Sequence, residues 1–206
     1  MFYLFQADTS LMYRHKPGTE YPVTCLIAPQ TNLDWRNYEF SGTIIKPAGD
    51  VYDSAGVGVV FYAKDAKNYY SLRVNGKAND TSTNANKFYL VSHFERYGME
   101  VDSVMVLVSD VLFEGGNDTM NFSVRVKTSN LQDTIVDGET SIEGVIWPAS
   151  GARPGYPSSY PVDVLGTRKS EGYCGIIVNY DGSSLGYNTN TSGIKVQNIK
   201  VQKVGE

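Results

Sequence analysis

Within six residues, Ser92-His93-Phe94-Glu95-Arg96-Tyr97 gathers the side-chain types that remove a proton beside a carboxylate. Elimination from a uronic acid needs a base, commonly His or Tyr, and an Arg, Asn or Gln that neutralises the carboxylate. On an extended strand His93 and Glu95 share one face and Arg96 takes the other. The plain alternative is a histidine that is only a hydrogen-bonded surface residue at a strand end. The second histidine, His15, sits in Tyr13-Arg14-His15-Lys16-Pro17-Gly18, which reads as an exposed turn with no partner in view.

Sugar binding asks for something different. Pyranose rings present C–H faces to aromatic side chains and hydroxyls to planar polar groups, so a site needs aromatics beside Asn, Asp, Arg or Gln. Tyr62, Tyr69 and Arg73 meet that need on what alternation makes the outward face of one hairpin. Trp147, Tyr156 and Tyr160 would extend the rim from a proline-rich loop. Outward tyrosines also stabilise sheets through cross-strand contacts alone, and Trp35 and Trp147 could simply be core.

Other chemistries are poorly served. Lys and Arg total 18 against 22 Asp and Glu, a net charge of −4, and no basic block occurs, which disfavours a nucleic-acid partner. No apolar run approaches the roughly 20 residues that span a bilayer, so membrane insertion is not expected. The apolar start Met1–Asp8 lacks the basic flank and length of a signal peptide. Cys25 and Cys174 could pair if their strands are neighbours, but two small buried thiols are the better expectation. Neither cysteine has a second Cys or His at metal-ligand spacing. No nucleophile elbow, phosphate-cradling loop or dinucleotide fingerprint is present.

Strands must position these residues. The chain has 20 Gly and 15 Tyr, while Ala- and Leu-rich helical stretches are missing, a balance that favours strands and turns. Tyr38–Lys46 alternates, with Tyr38, Phe40, Gly42 and Ile44 on one face. Val57–Ala63 and Tyr69–Val74, separated by five polar or small residues, predict a hairpin. Its core face would carry Val57, Val59, Phe61, Tyr70, Leu72 and Val74, leaving Tyr62, Tyr69, Ser71 and Arg73 outward and in water. Further strands are expected at Lys87–Phe94, within Val101–Phe113, around Phe122, Val124 and Val126, at Glu139–Trp147, at Gly172–Tyr180 and at Ile194–Val204. An Asp137-Gly138 turn suggests that Asp133–Val136 pairs with Glu139–Trp147. Pro148–Pro161, with four prolines and two glycines, reads as a long irregular loop. The sequons at Asn79, Asn117, Asn121 and Asn190 all read as loop-like.

Three blocks together resemble the concanavalin-like (laminin-G-like) jelly rolls. They are Trp35-Arg36-Asn37-Tyr38-Glu39-Phe40-Ser41-Gly42-Thr43; Gly56–Ala63 with Asn68–Val74; and Gly172–Ile177 with Ile194–Val201. Ile146-Trp147-Pro148 is similar to a strand ending in the same families. The resemblance implies an all-β, two-sheet antiparallel β-sandwich, with residues 1–206 as a single domain and 1–20 as a candidate extended arm. Hydrolases of this type share a strand with three acids. Here Glu100-Val101-Asp102-Ser103-Val104-Met105 supplies two and puts Val104 and Met105 where the third is needed, so no proton donor remains. Many such domains also carry an Asp before the Asn-Ile pair of the last strand. Gln197 stands there instead, so calcium is compatible but not indicated, and no cofactor is expected.

The expectation drawn from all this is a non-catalytic extracellular or virion-surface module that binds a polysaccharide or cell-surface glycan. Tyr62, Tyr69, Arg73, Trp147, Tyr156 and Tyr160 would be its ligand contacts. The alternative is a structural virion or assembly protein, phage capsid- or tail-attached, with Met1–Phe5 docking on a neighbouring subunit by strand addition. A polysaccharide lyase or glycoside hydrolase ranks behind both.

Overall fold

The computed structural model describes residues 2–5, 10–14, 23–27, 36–45, 55–65, 67–74, 87–97, 99–109, 119–128, 140–156, 160–161, 172–180 and 193–204. For 2–5, 10–14, 23–27, 55–57, 96, 99–107, 109, 160–161, 178–180 and 193–194 the backbone alone is described. Every regular element among them is a strand. In chain order these are β1 Phe2–Phe5, β2 Ser10–Arg14, β3 Val23–Ile27, β4 Tyr38–Ile45, β5 Ala55–Asp65, β6 Asn68–Val74 and β7 Phe88–Arg96. They continue with β8 Met99–Ser109, β9 Thr119–Thr128, β10 Thr140–Pro148, β11 Tyr160–Pro161, β12 Tyr173–Tyr180 and β13 Gly193–Lys203.

The strands form two antiparallel sheets, so the molecule is the expected two-sheet β-sandwich. A seven-stranded sheet runs β1-β2-β13-β4-β9-β10-β11, and a six-stranded sheet runs β3-β12-β5-β6-β7-β8. Alternation decides what lies between them. From the first sheet, Phe40, Ile44, Phe122, Val124, Val126, Ile142 and Val196 face inward; from the second, Val59, Phe61, Tyr70, Leu72, Phe88, Leu90 and Ile176 meet them in one buried cluster. Phe40 and Phe122, on neighbouring strands, pack edge to face with centroids 5.1 Å apart. Each such ring contributes roughly 1.5–3 kcal/mol by leaving water.

Several expectations need correction. Tyr62 points into the core and not outward. After the Phe61–Tyr70 pair, the next pair is Asp65–Asn68, so residues 62–64 oppose Tyr69 alone in a bulge. Tyr62 takes φ 46 there, and the left-handed turn of the backbone puts it on the same side as Phe61. Its hydroxyl accepts hydrogen bonds from Asn37 N (3.1 Å) and Thr128 Oγ1 (3.2 Å), while its N–H donates to the Tyr38 hydroxyl (2.8 Å). Gly172 allows this close approach: a Cβ there would lie 2.6 Å from the Tyr62 carbonyl carbon, at a φ of +145. The strand Thr140–Pro148 pairs with β9 along its whole length; Asp133–Val136, its expected partner, lies outside the described residues. Asn121 is not in a loop but in β9, where its Oδ1 accepts a hydrogen bond from Thr43 Oγ1 at 2.8 Å. The other sequons and His15 lie outside the described residues. Within 1–20, Phe2–Phe5 and Ser10–Arg14 are strands of the molecule's own sheet, β2 pairing with β13.

Cys174 is a free, buried thiol, as expected. Burial pushes its pKa up to about 12. Its strand does neighbour β3, but Cys25 registers opposite Ile176 rather than opposite Cys174.

Candidate active site

Two polar faces emerge, on opposite outer sides of the sandwich. On the six-stranded sheet, β6 and β7 pair Tyr69 with His93, Ser71 with Val91, and Arg73 with Tyr89. Directly opposed residues of an antiparallel pair project to one side, and this side is turned away from the shared core. The Tyr69 and His93 rings stack at 4.5 Å with 15° between planes. Arg73 stands two rows along the same strand. Opposite it, β5 carries Gly58, where an added Cβ would come within 2.5 Å of the Arg73 Cα. Only glycine lets β5 and β6 approach this closely.

This face is not the solvent-exposed one that alternation suggested. Tyr69 and Ser71 are 0% exposed, His93 4% and Arg73 5%. Val60, Ala63 and Ile177 join Tyr69 in a small apolar cluster at its edge. A tyrosine, a serine, an imidazole and a guanidinium thus share a dry surface. The Ser71 hydroxyl oxygen is buried with no hydrogen-bond partner among the described residues. A buried row that sets a phenol, an imidazole and a guanidinium side by side brings together groups able to move a proton and to hold a negative charge.

Of the segment 92–97, only His93 joins this row. Glu95 lies outside it in an ion pair with Lys67 (2.6 Å), Tyr97 is exposed, and the side chain of Arg96 lies outside the described residues. The residues that sequence reasoning missed are Ser71 and Tyr89. Their signal was present in the alternation Tyr69-x-Ser71-x-Arg73 and in the strand containing Tyr89, but nothing local showed that the two strands would register. Asp102 is the register partner of His93 on β8, and Glu100 that of Glu95.

On the outer face of the seven-stranded sheet, Trp147 and Tyr156 come together with residues the sequence reading had not singled out. Register places Glu39, Arg125 and Glu143 in one row across β4, β9 and β10. The Glu39 carboxylate accepts from Ser123 Oγ (3.0 Å), Arg125 Nη2 (3.1 Å) and Arg153 Nη2 (3.2 Å). Arg125 Nη1 also donates to Glu143 at 3.2 Å. Because Ser123 spends its hydrogen on Glu39, the 2.6 Å contact between Ser123 and the Tyr156 hydroxyl is donated by Tyr156. Arg125 lies over the Tyr156 ring at 4.4 Å, and Arg153 lies 5.8 Å from the Trp147 ring centroid. Burial pushes the Glu39 carboxyl up, but the hydrogen bonds from Ser123 and Arg125 and the charges of Arg153 and Arg125 outweigh it and hold the pKa below the usual value. Tyr160 pairs through its backbone with Ile142; its side chain lies outside the described residues. The six expected ligand contacts therefore do not form one site. Tyr62 is core, Tyr69 and Arg73 lie on one face, and Trp147 and Tyr156 lie on the other.

No group of His, Cys, Asp and Glu among the described residues could hold a metal ion. No family model matches the chain, and no curated protein matches it. Solved structures do. An engineered glycoside hydrolase with endo-xylanase and exo-arabinofuranosidase activity is similar with a TM-score of 0.53 and 13% identity, over 95% of this chain and 34% of that one. The chain thus spans about a third of that hydrolase. An alginate lyase from a Chlorella virus is similar with a TM-score of 0.51 and 10% identity, over 99% of this chain and 88% of that one. At these identities the likeness is one of fold. Both of these structures are of carbohydrate-active enzymes, which goes against the expectation of a non-catalytic adhesion or virion module.

Proposed function

We propose that this chain is a carbohydrate-active enzyme that cleaves an acidic polysaccharide by β-elimination at the buried row Tyr69, Ser71, Arg73, Tyr89 and His93. The sandwich would be of the concanavalin-like jelly-roll type, as the three sequence blocks imply. The observation that carries the reading is the stacked Tyr69–His93 pair on the same sheet face as a buried arginine.

Arg73, a planar and permanently charged fork, pairs with the uronate carboxylate and makes the neighbouring C5 proton more acidic. The His93 imidazole takes that proton. The released electron pair forms the C4=C5 double bond, the C4–O glycosidic bond breaks, and the departing oxygen receives the Tyr69 hydroxyl proton. Groups placed in this way supply about 10²–10⁴-fold each as general acid or base. Because the row is out of water, the charges act in a low dielectric, and this reading requires that the row open to admit substrate. Hydrolysis is less well supported. It needs two carboxylates flanking one bond, and Glu39 and Glu143 are instead bound to a shared arginine.

Digestion of a panel of uronate-containing polysaccharides, alginate among them, is followed by the ultraviolet absorbance of the conjugated double bond. Product is expected with the wild type and is lost in His93→Ala and Arg73→Ala variants that still fold. Reducing ends without unsaturation would replace this reading with hydrolysis, and full activity in His93→Ala would remove the assigned base.

A further inference from the structure

We propose that the outer face of the seven-stranded sheet is a second, non-catalytic contact surface for an anionic glycan chain, on the side of the sandwich opposite the buried row. It rests on the reading above only for the class of ligand.

The charge on this face runs against that of the molecule. Register and alternation put Lys127 and Arg125 of β9 and Lys195 and Lys200 of β13 on it, and Arg153 joins from the loop that follows β10. Among the described residues of the face these five cations meet two carboxylates, Glu39 and Glu143, whereas the whole chain is −4. Both carboxylates are already bound to arginine, Glu39 to Arg125 and Arg153 and Glu143 to Arg125. The outlying lysines therefore set the sign of the field that an approaching ligand meets.

The rest of the face suits sugars rather than anions in general. Trp147 and Tyr156 supply rings, and Asn121, Gln197 and Gln202 supply planar amides on the neighbouring strands, the arrangement that pyranose faces and hydroxyls require. The Tyr156 ring is already held by its hydrogen bond to Ser123 and by Arg125 beneath it, and Arg153 Nη2 is tied to Glu39, Ser123 and Tyr156. The aromatic wall is thus rigid before ligand arrives, which lowers the ordering cost of binding. A polymer held here would stay attached between encounters with the opposite face, raising its effective concentration.

Affinity electrophoresis in gels containing polyuronate, and titration calorimetry with oligouronates, measure the contact in a His93→Ala background so that no turnover intervenes. The double variant Lys127→Glu/Lys200→Glu changes two exposed positions and is expected to weaken binding about tenfold. Trp147→Ala is expected to weaken polyuronate binding while leaving poly-glutamate, a polyanion without sugar rings, unaffected. Unchanged polyuronate binding in the folded double variant overturns the proposal. Equal affinity of the wild type for polyuronate and poly-glutamate overturns it too, since a general anion patch would then suffice. Because the readout is binding, a chain without lyase activity that still shows the expected losses keeps this surface and discards only the mechanism.

Discussion

Replacing Glu39 by Gln keeps the shape of the side chain and removes its charge, so it isolates what the carboxylate does for the loop that carries Arg153 and Tyr156. Three donors converge on it, Ser123 Oγ at 3.0 Å, Arg125 Nη2 at 3.1 Å and Arg153 Nη2 at 3.2 Å. The Glu39 side chain is only 7% exposed, but those of Arg125 and Arg153 are 30% and 45% exposed, so water compensates the arginines in part. Breaking a fully buried pair costs about 3–5 kcal/mol and an exposed one about 0–1, and this pair lies between, near about 2 kcal/mol at neutral pH. For a chain of this size that lowers Tm by about 4–8 °C. The effect depends on pH in a defined sense. Interactions hold the folded-state pKa of Glu39 below its ordinary value. The stabilisation is therefore complete above the ordinary carboxylate range and is lost as pH falls through the depressed folded-state value. Thermal melts of wild type and Glu39→Gln from neutral pH into acid should show a gap that closes on acidification. Equal melting temperatures at neutral pH, or a gap that stays constant into acid, would refute the clamp.

Tyr62→Phe removes the acceptor of the Asn37 N–H and Thr128 hydroxyl bonds in the interior, and denaturant unfolding should register a loss of about 1–3 kcal/mol. No change would mean that the bulge does not depend on that hydroxyl. Cys174, a buried thiol with its pKa pushed up to about 12, should resist alkylation at mildly alkaline pH until denaturant unfolds the sheet; peptide mapping after labelling would show rapid modification if the strand opens locally.

How far the sequence alone reached can be judged from particular residues. Alternation assigns Phe61, Leu72 and Val59 inward, and all three are buried. Alternation failed at Tyr62, because a bulge inserts residues that a two-residue period cannot foresee. Tyr69 and Arg73 were assigned to the correct side of their strand but to the wrong solvent environment, since a period of two says which residues share a face and not whether that face is covered. Glu39, Ser123 and Arg153 went unnoticed as a group. They lie 84 and 114 positions apart from Glu39 along the chain, and no spacing rule connects them.

Strand identity and much of the core follow from side-chain periodicity, because burying every second residue is a local property that each segment carries on its own, whereas the two-sheet antiparallel sandwich is what the family resemblance implies. Which strands become neighbours, and therefore that Tyr69 stacks on His93 while Trp147 stands on the far side with Arg153, comes from packing across the whole chain. Register between distant strands depends on filling a common interior and meeting every backbone hydrogen bond, and no short stretch of residues contains that information.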